Sequence, residues 1–531
     1  MDRRNFIART AGTSLIATAG LNAFPAIGKT ASEKVLRFVP QADLANFDPI
    51  TASQIVVRNA AVMVWDMLYG LDSQMRPQPQ MVESESVSSN GLVWTFKLRG
   101  GLKFHDGTPV LARDVVASLN RWSVRDAMGK LIREVQKELV ATDDKTFRWT
   151  LSKPFPKMKF ALAKLNTPCA FIMPERLAKT DPFQQVSEYI GSGPMRFVKN
   201  EWVPGSKAVF EKFGDYVPRQ EPNSWMAGGK VMLVDRVEWL TMTDPSTAAA
   251  AMQNGEIDWW ETPISDLVPL LRSNSGVNVD ILDTSGNVGA FLMNHLQPPF
   301  NNLLARQAVM TALNQQDYME AVVGDDKKLW KPMYSFFTPG TPAYTEAGAD
   351  ILKGARRMDA AKKLLEKSGY ANEQVTCLIA ENQSIVKPMG DVSVDLLKKL
   401  GMNVNVVSTD WATVGSRRTN KGPANQGGWS MFHSWFSGMS CTAPYSQLRG
   451  NGENAWFGWP TSPGTEKGIA DWFDTSDAAR EKAALEQINR AAMQDVVYAP
   501  TGFFLSYSAW RKNVRGISKG PLPMFWGVSK A

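Results

Sequence analysis

Apolar residues recur along the chain with two spacings, one typical of strands and one typical of helices. After the turn dipeptide Asn90-Gly91, every second residue of 92–98 is strongly apolar, which predicts a half-buried strand. Further short strands are predicted at 35–39, 375–381 and 404–408. Helical spacing predicts helices over 112–122, 306–323, 358–367, 392–400 and 476–493. Strands and helices that alternate throughout predict an α/β protein rather than a helical bundle or an all-β protein.

The segment 234–260 has the signals of one β-α-β unit. A strand is predicted over 234–242, and Asp244 then offers a helix N-cap with Pro245 at the first helical position. The alanine-rich helix should stop at Gly255, and a second strand is predicted over 257–260. Units of this kind build sheets that are covered by helices.

Residues 420–463 are different, because they are rich in Gly, Ser, Asn, Pro and aromatic residues and show no clean period. Long irregular stretches in compact proteins are usually functional. Trp429, Trp435, Trp456 and Trp459 lie in this region and are candidates for stacking on a ligand. Most of the other tryptophans are expected to pack in the core.

Composition and charge exclude several classes of protein. Of the 531 residues, 44% are apolar and 21% are charged, which is globular composition and excludes extensive disorder. After residue 30, no apolar run is long enough for a membrane-spanning helix. The net charge of +7 is small for this length and no run of five basic residues occurs, so nucleic-acid binding is not expected.

Residues 1–31 have the pattern of an export signal. The pair Arg3-Arg4 precedes a mildly apolar stretch, 10–24, that is rich in alanine, glycine and threonine. This arrangement is similar to a twin-arginine signal, and a general secretory signal that contains two arginines is the alternative. We therefore expect an exported, soluble, periplasmic protein whose mature chain starts between residues 20 and 33.

Catalytic signatures are missing from the sequence. It contains no G-x-S-x-G, no H-E-x-x-H and no G-x-x-x-x-G-K-[ST] motif. The three histidines lie far apart, so a metal site is not expected. The three cysteines are also far apart, and three buried thiols are a simpler expectation than a disulfide. We predict no cofactor and no enzymatic activity, with an unrecognised secreted enzyme as the alternative.

Six segments, in order along the chain, carry a resemblance to one family. They are LANFDP (44–49), LVWTFKLRGGLKFHDGTPVLARDVVASLNRW (92–122), IGSGPMRF (190–197), AMQNGEIDW (251–259), NHLQPPFNNLLARQAVMTAL (294–313) and DAAKKLLEKSGY (359–370). Together they resemble the family 5 extracellular solute-binding proteins of ABC importers. This group serves dipeptides, oligopeptides, nickel chelates, opines and some oligosaccharides.

The resemblance implies a two-lobe periplasmic-binding-protein fold, type II and cluster C, with an extra subdomain in the first lobe. Lobe I would hold 32–287, with 61–190 as the extra subdomain, and lobe II would hold 288–498. Residues 499–531 would return to lobe I, with the crossovers near Asp283–Asn294 and Val497–Ser506. A small solute would bridge the lobes, and an ABC permease at the inner membrane would recognise the closed form. The protein is expected to be a monomer.

The ligand class follows from a departure from the family pattern. Peptide-binding members usually carry an Asp shortly after a Gly-Trp in lobe II, where it pairs with the α-amine of the peptide. The matching stretch Gly428–Arg449 contains no Asp or Glu, and Phe436, Ser437 and Gly438 follow Trp435. A buried ammonium group without a carboxylate would be strongly penalised by desolvation.

We therefore predict a ligand other than an ordinary free-amine dipeptide: an opine, an oligosaccharide, a chelate or a modified peptide. The alternative is a peptide whose amine binds another acid, with Asp410 and Glu453 as candidates. Lys387 stands where dipeptide binders use an Arg for the ligand carboxylate. The ligand-binding candidates are Trp435, Phe436, Ser437, Ser440, His433, Asn294, Lys387, Ser53 and Gln54.

Overall fold

Two mixed sheets organise the fold, one built mainly from the first half of the chain and one from the second half. The computed structural model describes residues 34–52, 54–445 and 448–531. The predicted signal segment 1–31 and the candidate Ser53 lie outside the described residues. Within them, residues 34–531 form one compact unit.

Short strands and helices alternate from β1 onward. In chain order, the strands are β1 (Val35–Val39), β2 (Tyr69–Leu71), β3 (Pro77–Pro79), β4 (Val82–Val87), β5 (Val93–Leu98), β6 (Gln136–Ala141), β7 (Thr146–Leu151), β8 (Met195–Phe197), β9 (Lys207–Lys212), β10 (Arg236–Leu240), β11 (Trp259–Trp260), β12 (Val277–Asp280), β13 (Asn287–Met293), β14 (Trp330–Lys331), β15 (Gln374–Ala380), β16 (Asn403–Thr409), β17 (Met431–Ser437), β18 (Ala499–Phe504), β19 (Ser508–Arg511), β20 (Val514–Arg515) and β21 (Ser529–Lys530). The α-helices are α1 (Ile55–Val64), α2 (Ala112–Arg125), α3 (Ala127–Val135), α4 (Met158–Ala163), α5 (Glu175–Ala178), α6 (Pro245–Asn254), α7 (Val268–Ser273), α8 (Leu303–Ala312), α9 (Gln315–Val323), α10 (Met358–Lys367), α11 (Val386–Leu400), α12 (Trp411–Arg417), α13 (Pro463–Phe473) and α14 (Ala478–Asp495).

The two large sheets define two α/β lobes, which confirms the predicted fold class. The first sheet has the order β12-β19-β11-β1-β10-β9-β8, and β1 runs parallel to β10 and β11. The second has the order β14-β18-β13-β17-β15-β16, and β15 runs parallel to β16 and β17. A separate four-stranded sheet, β4-β5-β7-β6, is inserted between β1 and β8, and we propose 61–190 as the extra subdomain that contains it.

The second crossover lies later in the chain than the domain boundary predicted at residue 498. Strand β18 still belongs to the second sheet, where it pairs with β13 and β14. The chain reaches the first sheet only at Ser508, the first residue of β19. The boundary was placed too early because Ala499–Phe504 is buried at every position and has no alternation that assigns it to either lobe.

Capping residues explain which helices were predictable. Asp244 accepts a hydrogen bond from the backbone N–H of Thr247 at 2.6 Å, and α6 ends at Gly255 with φ of 79°. Both ends of this helix are confirmed. The single helix predicted over 306–323 is wrong, because the chain breaks after α8 and Asn314 caps a new helix, α9.

Strand β17 runs through the middle of the region predicted to be irregular. All of its residues except Trp435 are buried, so both faces of the strand pack inside lobe II. A strand that is buried on both faces shows no polar alternation, which is why the sequence pattern concealed it.

The thiols of Cys169, Cys377 and Cys441 are all buried. Among the described residues, no helix is both long and apolar enough to cross a membrane.

Candidate functional site

The two lobes join at one end of each sheet. Asn287 at the start of β13 pairs with Phe504 at the end of β18, so the two crossovers lie side by side. Strands β15, β16 and β17 point their carboxyl ends toward this junction from lobe II, as the pairing of Ser437 with Asn287 shows. Strands β1 and β11 do the same from lobe I. Ligands of open α/β sheets bind beyond the carboxyl ends of the strands, so the candidate site is the cleft between these edges.

The lobe I side of the cleft centres on Glu261, which directly follows β11. Its Oε1 accepts a hydrogen bond from Asn59 Nδ2 at 2.9 Å, and its Oε2 accepts one from the backbone N–H of Gln41 at 2.8 Å. Burial raises the pKa of Glu261 to about 7, with the Gln41 hydrogen bond and the charge of Arg58 acting in the opposite direction. The residue as a whole is half-buried.

Arg58 and Asp283 stand near this glutamate. Arg58 is 4% exposed and donates hydrogen bonds to Asn59 Oδ1 and to the carbonyl oxygens of Leu165 and Pro521, so its guanidinium is held within lobe I. Burial raises the pKa of Asp283, which accepts hydrogen bonds from Ser285. This side of the cleft therefore places the carboxyl groups of two half-buried residues near one fixed cation.

The lobe II side is an aromatic wall at the end of β17. Trp435 is half-buried, and its ring centroid lies 5.8 Å from that of Trp411. Phe436 is buried and packs edge-on against Trp456 at 5.2 Å and Tyr498 at 5.4 Å. Phe436 thus packs among the aromatic side chains of lobe II, and Trp435 is the more accessible of the two predicted residues.

Immediately after the wall, the backbone of lobe II comes very close to the crossover. The N–H of Gly438 donates to the carbonyl oxygen of Gly286 at 2.7 Å, and a Cβ at position 438 would lie 1.7 Å from the carbonyl oxygen of Ser285. Only glycine fits there. Ser437, buried at the end of β17, and Ser440 flank this contact. Ser440 Oγ donates to Asn166 Oδ1 at 2.8 Å, so it binds the other lobe here.

Two predicted ligand residues are corrected by the structure. Asn294 follows the far end of β13, roughly 20 Å along the strand from the junction at about 3.3 Å per residue. It is completely buried, and its side chain binds the backbone of Trp429 and Leu296. His433 is 2% exposed, its Nε2 lies 2.7 Å from Ser393 Oγ, and burial lowers its pKa to about 3. Both side chains stabilise the interior of lobe II, whose topology the sequence did not reveal.

The other predicted residues lie nearer to the cleft. Lys387 stands near the start of α11, after β15, where its Nζ pairs with Asp391 at 2.6 Å and its pKa is raised by that hydrogen bond. Gln54 is exposed and directly precedes α1, with no side-chain cap bond. Their role in ligand binding stays a prediction, as does that of Trp435, Phe436, Ser437 and Ser440.

The acids nominated as replacements for the usual aspartate are engaged elsewhere. Asp410 accepts hydrogen bonds from the backbone N–H and the hydroxyl of Thr413 and so caps α12. Glu453 is exposed and pairs with Lys421 at 3.1 Å. Glu261 was not among the residues predicted from the sequence, although an acid that directly follows an apolar strand of a predicted β-α-β unit is a readable signal.

A second contact joins the lobes outside the cleft. Lys157, just before α4, pairs with Glu481 of α14, and its Nζ lies 4.4 Å from the centre of the Trp472 ring. Phe155 packs against Phe473 at 5.9 Å beside this pair. The insertion in lobe I is thereby attached to α13 and α14 of lobe II. Within the described part of the chain, no cluster of His, Cys, Asp or Glu could hold a metal ion.

Two α/β lobes that meet at a cleft are an arrangement suited to enclosing a small solute. Residues 76–456 match the family model for bacterial extracellular solute-binding proteins, family 5. The chain is 33% identical over 525 residues to a probable peptide ABC transporter periplasmic-binding protein of Sinorhizobium fredii, covering 98% of this chain and 97% of that one. The protein belongs to family 5 of the bacterial extracellular solute-binding proteins, the solute-binding components of ABC transporters, which are not enzymes.

Other relatives bind different solutes. The chain is 26% identical to the glutathione-binding protein GsiB of Escherichia coli, over 76% of this chain and 75% of that one. A solved structure of AgaA of Agrobacterium tumefaciens with agropinic acid has a TM-score of 0.76 at 21% identity and covers 94% of this chain and 99% of its own. A dipeptide-binding protein of a Pseudoalteromonas species with Met-Leu has a TM-score of 0.77 at 18% identity, covering 94% and 100%. These two likenesses confirm the two-lobe fold.

Proposed function

We propose that this protein captures a small solute in the cleft between its lobes in the periplasm and delivers it to the permease of an ABC importer. The observation that carries the proposal is the pair of facing edges at the junction, aromatic on lobe II and carboxylate-bearing on lobe I. A solute that touches both edges stabilises the closed arrangement, because only differential affinity for closed over open can shift the equilibrium. We also propose that the protein acts as a monomer, which multi-angle light scattering tests.

Solute capture is tested in two measurements on the mature protein. Native mass spectrometry of protein purified from the periplasm identifies a bound solute directly. Adding that solute to ligand-free protein should reduce the radius of gyration in small-angle X-ray scattering, since domain closure brings the lobes together. A radius that stays the same at saturation would contradict closure.

We propose that the ligand is not an ordinary free-amine dipeptide. The wall from Trp435 to Ser440 offers ring faces and hydroxyls, and the stretch Gly428–Arg449 supplies no carboxylate for an ammonium group. A solute with a masked or absent amine suits such a wall, and the agropinic acid carried by AgaA shows that this fold accepts a non-peptide ligand. In calorimetric titration, a panel of free dipeptides should bind weakly or not at all.

A second candidate function is supported by one observation. Glu261 places a half-buried carboxyl group on the lobe I edge, and several relatives carry peptides. If the amine of a peptide binds there, sub-micromolar affinity for several dipeptides should be lost in Glu261→Gln. It should be kept in the control Glu256→Gln, which changes an exposed glutamate five residues earlier in the chain. Equal affinity of both variants would exclude Glu261 as the amine partner.

A further inference from the structure

Arg418 lies in an unusual setting for a cation. It directly follows α12, and its guanidinium carbon lies 4.3 Å from the ring centre of Phe457 and 5.4 Å from that of Trp456. The rings of Trp411 and Phe432 are 5.8 and 5.9 Å away. Contacts of this kind between a cation and ring faces are favourable, but they neutralise no charge.

No described residue pairs with this guanidinium. Its Nε is buried without a hydrogen-bond partner, and none of the described carboxylates forms an ion pair with it. Burial lowers the pKa of Arg418, with no neighbouring charge to oppose it. Isolated buried charges are disfavoured, and buried cations are normally paired. The residue as a whole is only half-buried.

The position of Arg418 relates it to the cleft. Trp411, one of its ring neighbours, also contacts Trp435 at the carboxyl end of β17. Strands β15 and β17 pair only at Cys377–Met431 and Leu378–Phe432 and are unpaired beyond these residues toward their carboxyl ends. The resulting opening between parallel strands is where α/β sheets receive ligands.

We propose that Arg418 is the anion-binding residue of lobe II and that it takes a carboxylate of the solute between Trp411, Trp456 and Phe457. The guanidinium fork matches a carboxylate, and the rings provide an apolar face for the carbon skeleton next to it. This inference rests on the proposed function and narrows the solute class to carboxylate-bearing molecules with an apolar or planar portion.

The test uses a small matched pair of probes, phenylacetate and its neutral amide phenylacetamide, with ligand-free mature protein. Dissociation constants come from ligand-detected NMR titration. We expect wild type to bind phenylacetate more tightly than phenylacetamide. Arg418→Gln should weaken the affinity for phenylacetate at least about tenfold. Arg418→Lys should retain part of the affinity, because it keeps the charge but loses the fork.

The control is Lys421→Gln, which removes one positive charge from the same segment at a residue already paired with Glu453. It should bind phenylacetate as wild type does. The proposal is overturned if wild type shows no phenylacetate binding at millimolar concentration, if it does not prefer the carboxylate, or if Arg418→Gln binds it unchanged. If Arg418→Gln does not fold, the proposal is judged from two other results: whether wild type prefers phenylacetate to phenylacetamide, and how tightly Arg418→Lys binds phenylacetate. Solute capture itself is judged separately, by compaction with the co-purified solute.

Discussion

The ion pair between Lys157 and Glu481 gives the sharpest prediction, because it joins the two lobes and involves no ligand. The Lys157 side chain is 9% exposed and that of Glu481 is 31% exposed. We expect Glu481→Gln to destabilise the closed arrangement, since it leaves a nearly buried ammonium group without its carboxylate.

The magnitude follows from the exposure of the two partners. Removing one partner of a fully buried pair costs about 3–5 kcal/mol, whereas an exposed pair contributes about 0–1 kcal/mol. With one partner a third exposed and the Trp472 ring still below the ammonium, we expect about 1–2 kcal/mol. The neighbouring pair of Lys153 and Asp474 is exposed on both sides, so Asp474→Asn should have a smaller effect.

The assay compares ligand-free wild type and Glu481→Gln by small-angle scattering and by calorimetric affinity for the co-purified solute. The variant should have a larger radius of gyration and weaker solute affinity, by roughly fivefold to thirtyfold. Glu486→Gln is the matched control, because Glu486 lies on the same helix and forms only a long, exposed pair with Lys482. If the two variants have the same radius and affinity, the contact does not hold the lobes, and this reasoning is refuted.

Three further predictions concern binding, pH and export. Trp435→Ala should lose about 1–3 kcal/mol of affinity for the co-purified solute in calorimetry, as expected for an aromatic residue at the centre of a binding site, and unchanged affinity would remove it from the site. The pKa of Glu261 is raised from 4.5 to about 7 in the folded protein, so between these pH values the folded state holds a proton that the unfolded chain releases. The free energy of unfolding should therefore fall as the pH rises from 4.5 to about 7, by at most about 1.4 kcal/mol per pH unit. Glu261→Gln should flatten this part of the profile of melting temperature against pH. Changing Arg3 and Arg4 together to lysine should leave the precursor in the cytoplasm, and normal periplasmic accumulation on an immunoblot would exclude the twin-arginine route.

The sequence predicted those elements whose signals are local. Asp244 and Gly255 bound α6 because a capping carboxylate and a left-handed glycine act within one helical turn. The hairpin residues Asn90-Gly91 lead into β5 for the same reason. Order and spacing of family motifs then gave the two-lobe fold, which no local signal contains.

Ligand residues were harder to predict because they depend on the order of strands. His433 and Trp435 are two residues apart on one strand, yet helix packing buries the first and the cleft edge exposes the second. Glu261 and Arg418 are distant in sequence, and only the topology shows that the first belongs to lobe I and the second to lobe II. The sequence pattern records burial at single positions and not the three-dimensional arrangement that makes a cleft.

The distribution of charge over the cleft leads to a last prediction. Glu261 belongs to lobe I and Arg418 to lobe II, so a ligand that contacts only one of them binds open and closed protein equally well and cannot drive closure. Phenylacetate, which is too small to bridge, should therefore bind without changing the radius of gyration. The co-purified solute should reduce that radius, because it touches both edges. Compaction by phenylacetate alone would show that the anion site closes the lobes without help from lobe I and would contradict a mechanism in which the solute bridges the two edges.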